Sequence, residues 1–173
     1  MNDQTIILIL RLFHITCGAV WAGSLIYMAL FITPALKASG PEGVKFMQKL
    51  GKTGYPIIMM IVAIVTIVTG VLLIWKLSEG FQAAWFHTPY AKVLTMGSGL
   101  AFIAFIIGFT VSRPAAFRIN RISDAIASAG GVPGTDQMNE LMSLRKRIFT
   151  ATNYIAALLA LAVVSMAICR YVG

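Results

Sequence analysis

Four apolar runs, at about residues 12–32, 57–75, 91–111 and 150–169, constrain this chain more than any other feature. Each is long enough to cross a hydrocarbon core, which takes about 20 residues as a helix. Inside a bilayer the backbone must satisfy its own hydrogen bonds, so only helices and closed barrels span it. Continuous runs of this length select helices. The expected fold is all-α, a four-helix transmembrane bundle forming a single integral-membrane domain over residues 1–173. Composition agrees: 12% of residues are charged, against about 25% in a soluble domain. The N-terminus does not read as a cleaved signal peptide. It carries Asp3 and no lysine or arginine before the apolar stretch opens, and that stretch is too long.

The net charge of +8 is uneven. Lys37, Lys45, Lys49 and Lys52 lie between the first and second runs, and Arg113, Arg118, Arg121, Arg145, Lys146 and Arg147 between the third and fourth. The other side has only Arg11, Lys76, Lys92 and Arg170. The positive-inside rule then places the N and C termini outside and both basic loops in the cytoplasm. The basic residues are expected to meet the lipid bilayer. No aromatic residues interleave with them in the way that argues for nucleic acid.

Local signals refine this outline. Pro34 is expected to mark the exit of the first span on the cytoplasmic side. Val44, Met47 and Leu50 recur at helical spacing with lysines between them, which predicts a short amphipathic surface helix. Pro56 suits the start of the second helix, and Thr88-Pro89 is an N-cap and N1 pair for the third. Gly97, Ala101, Ala104 and Gly108 form a small-residue stripe suited to close packing. Beyond Pro114 the apolar spacing stays helical. A turn is expected at Gly130-Gly131-Val132-Pro133-Gly134, and Met138, Leu141, Leu144 and Ile148 resume the period. The third and fourth helices should therefore extend into a cytoplasmic hairpin.

Ionisable residues inside lipid mark functional sites. Arg11, His14, Gly18 and Ala22 follow steps of three and four, so they share one face of the first helix. A fixed charge above a histidine, with small residues below, could hold a flat anionic group such as a haem. It could equally be a helix-packing face. The only other histidine is His87, on the same side. One b-type haem could take His14 from one face and His87 from the other, if the loop holding His87 dips. Lys92 or Met96 is the alternative second ligand. Arg11 and Lys76 could pair the propionates or simply snorkel. Lys92 lies inside an apolar run with no acidic residue in any of the four runs to neutralise it. A second constellation is His14, Cys17 and Met96, whose soft donors suit copper as Cu(I). Cys17 and Cys169 show no paired spacing, so neither a disulfide framework nor a zinc site is expected.

Leu12-Phe13-His14, then Trp21-Ala22-Gly23, then Pro34 resembles the first helix of the four-helix bacterial membrane proteins grouped around CopD and the HemJ-type protoporphyrinogen oxidases. Lys92 opening the third run is similar to theirs, and Arg147 to Asn153 is a looser match. The resemblance implies a bundle in the bacterial inner membrane with a haem b or metal near His14. In the HemJ-type enzymes a helix 1 histidine and a helix 3 lysine are linked to haem, which would be His14 and Lys92. Two departures bear on the oxidase activity. Asn153 is followed by Tyr154-Ile155 rather than an acidic-proline segment, and Phe31-Ile32-Thr33-Pro34 replaces a basic-aromatic one.

The function expected from these readings is electron transfer through a single haem b in the outer leaflet, with a redox partner protein or quinone. The alternatives are a HemJ-type oxidase, copper handling, and a cofactor-free accessory subunit of a larger membrane complex; a homo-oligomer is a further expected assembly.

Overall fold

In the computed structural model, which describes residues 2–172, every element among the described residues is helical. Six helices follow in order: α1 (Asp3–Ala38), the short α2 (Gly40–Gly51), α3 (Tyr55–Leu77), the one-turn α4 (Ala83–Phe86), α5 (Pro89–Ser128) and α6 (Thr135–Tyr171). The helices α1, α3, α5 and α6 are long and apolar enough to cross a membrane.

Their ends follow local chemistry. The Asn2 side chain accepts from the Gln4 and Thr5 amides at 2.7 and 3.3 Å, capping α1. Thr88 Oγ1 caps α5 by accepting from the Ala91 amide at 3.2 Å, as its place before Pro89 predicts. Gly130 and Gly131 both take positive φ where α5 ends, and the Gly131 amide closes back on the Ile126 carbonyl at 2.8 Å. The expected turn is therefore present. The connection between α3 and α5 carries the single turn of α4.

Pro34 does not end the first helix. α1 runs through it to Ala38, and α5 runs through Pro114 in the same way. Each proline follows a π-helical turn, Met28–Ile32 or Gly108–Ser112, in which the Thr33 and Arg113 amides reach back five residues to Met28 and Gly108. A proline ring clashes with the carbonyl four residues back and has no N–H to offer it. A wide turn just before the ring relieves the clash, so the helix bends rather than breaks.

α1 packs chiefly on α3, and α5 on α6; contact between α1 and α6 joins the two pairs, while α3 and α5 meet only sparsely. The core is built from small residues around a few large ones: Trp21, Ala22, Ala63, Ala101, Ala104, Ile155, Leu159 and Ala162. The Gly97 stripe faces α6 as expected. A Cβ added at Gly97 would lie 2.9 Å from Ser165 Cβ and 3.2 Å from the Ala162 carbonyl. Without a hydrophobic drive between helices in lipid, such close backbone approach is what holds a bundle together. The outward faces are apolar, with Leu8, Leu12, Ile61, Phe102 and Val164 exposed.

Four passes leave both described chain ends at one end of the bundle, and α5 and α6 form a hairpin at the other. There Ala115, Ile122 and Leu141 are buried, and Arg118 donates through Nε and Nη2 to Glu140 at 2.7 and 3.2 Å. α2 is amphipathic as expected. Lys52, just past its end, pairs with Asp124 of α5 at 2.9 Å, and Gly43 abuts the Leu36 backbone of α1.

Candidate functional site

Among the described residues, His14 makes the only side-chain hydrogen bonds between spanning helices that lie within the apolar layer. Its Nδ1 lies 2.9 Å from the Thr66 carbonyl and 3.3 Å from Thr69 Oγ1, both on α3. A carbonyl only accepts, so Nδ1 carries the proton and donates. Thr69 already donates to the Val65 carbonyl at 2.6 Å, and Thr66 Oγ1 to the Val62 carbonyl at 2.7 Å. Both hydroxyls thus bond back to their own helix, and Thr69 has a lone pair left for the imidazole.

Glycine makes room for the ring. A Cβ at Gly70 would lie 2.9 Å from His14 Cε1 and 3.3 Å from Nδ1. Thr66, Thr69 and Gly70 stand at i, i+3 and i+4, on one face of α3. This face receives the imidazole, and with Nδ1 committed to it, Nε2 is the nitrogen that keeps a free lone pair. The same arrangement, Nδ1–H held by a carbonyl, orients histidines that bind metals through Nε2.

The rest of the predicted face divides. Gly18 also turns toward α3, where a Cβ would touch the Thr66 methyl at 3.4 Å. Ala22 is buried in the central core beside Trp21. Of the two uses this small-residue face admits, the structure realises helix packing below His14. Arg11, one turn above, is exposed.

His87, Lys92 and Met96 are also exposed, and no side-chain hydrogen bond among the described residues joins them to His14. Depth separates them. Trp21 shares the core with Ala101 and Ala104. His14 lies seven residues before Trp21, which is about 10 Å at 1.5 Å per residue. Seven residues before Ala101 and Ala104 come Leu94 and Gly97, so Met96 shares the level of His14. Lys92 stands about one turn higher, and His87, the residue following α4, higher again. Cys17 is half-buried on α1, and Met96 is 56% exposed on α5. Among the described residues no three His, Cys, Asp or Glu side chains converge.

At the chain-end side of the bundle, Arg11 of α1 and Arg170 of α6 are both exposed. Lys76, expected as another cation on this side, instead pairs with Asp3 at 2.9 Å.

The sequence analysis did not find Thr66, Thr69 and Gly70 as partners of His14; their shared helical spacing at mid-run depth was the available signal. Comparisons with family models, curated proteins and solved structures found no match.

Proposed function

We propose that this is a multi-pass protein of the bacterial inner membrane that carries one b-type haem near the end where its termini lie, for electron transfer. The observation that carries the reading is the His14 Nδ1 bond to the Thr66 carbonyl, which fixes the ring and leaves Nε2 as the free donor. His14 would hold the haem iron through Nε2, and Met96, which matches its depth, or Lys92 or His87 would supply a second protein donor. Arg11 and Arg170 would receive the propionates. The haem supplies a one-electron couple when bound. The chain's own groups hold the imidazole tautomer, set the ligand field and exclude water. A haem brings four ring nitrogens, so it needs only one or two protein ligands and no converging cluster of side chains. The positive-inside rule supports termini outside and the hairpin in the cytoplasm.

The test is the absorbance spectrum of detergent-purified protein, oxidised and dithionite-reduced, with metal analysis. A Soret band with sharp α and β bands and about one iron per chain is expected, and His14→Ala should abolish it. An unchanged spectrum in that variant would remove the assignment. Copper without a Soret band would favour the site at His14, Cys17 and Met96. A colourless, metal-free preparation with co-purifying proteins would favour an accessory subunit. Rescue of a strain lacking protoporphyrinogen oxidase would favour the HemJ-type activity over simple electron transfer.

A further inference from the structure

Two clefts flank α6 where it leaves the hairpin and becomes apolar. One, of about 380 Å³, lies between α6 and the end of α1, and Lys37, Arg145, Lys146 and Phe149 line it. The other, of about 400 Å³, lies between α6 and α5, with Ile107, Val111 and Ala151 on its walls. Lys146 and Thr150 belong to both, so the clefts meet on α6. No carboxylate lines either one. Lys37, Arg145 and Lys146 form no ion pair among the described residues, although four other cations do. Lys37 Nζ is held 5.7 Å above the Phe149 ring, and Arg145 is half-buried. With Arg147, which lines the second cleft, four cations are thus gathered, one of them partly desolvated, with no protein anion to offset them.

We propose that these joined clefts bind an anionic phospholipid. Its phosphate lies among Lys37, Arg145 and Lys146, and an acyl chain runs down the second cleft against Ile107, Val111 and Ala151. The charge complementarity is direct. The depth fits as well: the cations sit where the apolar run of α6 opens at about residue 150, the level of headgroups, and the apolar cleft continues into the chain region. Basic pockets between spanning helices at this level suit lipid phosphates. The site is independent of His14.

The test is native mass spectrometry of the full-length protein in detergent, titrated with phosphatidylglycerol and with phosphatidylcholine of the same chains. Phosphatidylglycerol should bind more tightly. Each cation near such a surface is worth about five-fold in affinity, so Arg145→Gln/Lys146→Gln should lose roughly 25-fold. Lys52→Gln, at an exposed cation paired with Asp124 and lining neither cleft, should bind as the wild type does. If the double variant is not monodisperse, the exposed Lys37→Gln carries the test, with about a five-fold loss expected. Equal binding of phosphatidylcholine, unchanged binding in the variants, or displacement of the lipid by equimolar glycerol 3-phosphate would each overturn the proposal.

Discussion

The two ends of this bundle treat polar groups in opposite ways. Toward the chain termini, inside the apolar layer, His14, Thr66 and Thr69 all find protein partners across or along helices. Toward the hairpin, the hydroxyls of Thr33, Tyr55 and Ser112 are buried without a protein partner, and the ion pairs of α2 and the hairpin are exposed. The difference follows from the surrounding medium. In hydrocarbon nothing but protein can satisfy a polar group, so each one must be paired within the fold. At the hairpin end the exposed ion pairs are solvated, while the three enclosed hydroxyls, which neither water nor lipid reaches, stay unsatisfied at a cost.

Substitutions can break or sharpen this contrast. The largest effect is expected at Gly97, where α5 and α6 approach with no space between them. Gly97→Leu should destabilise the bundle by about 3 kcal/mol, the upper range for overpacking, read as a fall in melting temperature in detergent. A small effect would show that the α5–α6 interface yields.

Gly70→Ala comes next. The new methyl would press on His14 Cε1, while helix propensity alone favours alanine by about 1 kcal/mol. A net loss of about 1 kcal/mol is expected, because overpacking outweighs that gain. The loss should come with an altered Soret band if His14 holds a haem. A stabilised protein with an unaltered spectrum would mean that the ring is not held as tightly as the geometry indicates.

The hydroxyls give the most direct comparison. Thr69→Val removes a group that bonds both its own helix and His14, and should cost up to about 1 kcal/mol. Thr33→Val removes a buried hydroxyl with no partner, and should be neutral or stabilising by about 1 kcal/mol. Equal effects at the two positions would erase the distinction between the ends. The smallest change is expected for Arg118→Gln. Its pair with Glu140 is exposed, so unfolding should respond little and the response should fade with salt.

The four spans, the α2 amphipathic helix, the Gly130–Gly131 turn and the Gly97 stripe were legible because each is written in consecutive residues. Pro34 by itself did not say whether the helix ends there, because the same residue can end a helix or be absorbed by a wide turn, and the choice depends on what packs beside it. The π-helical turn packs on α6, and α1 continues. At the candidate site, His14 stood out as an ionisable residue in an apolar run. Its principal partner did not, because the acceptor is a backbone carbonyl that every residue carries. Nor could the face of Arg11, His14, Gly18 and Ala22 show which helix would cover it.

The sequence by itself determined that this chain makes four spanning helices with basic connections at one end. Hydrophobic length and charge act along the chain and need no knowledge of neighbours. Only the tertiary structure decided that His14 turns to α3, that Ala22 enters the core, and that Met96 rather than His87 shares the depth of His14. In lipid every helix face is surrounded by apolar matter, so hydrophobicity does not choose its partner. Close backbone approach and a few hydrogen bonds make that choice, and they exist only once the helices are side by side.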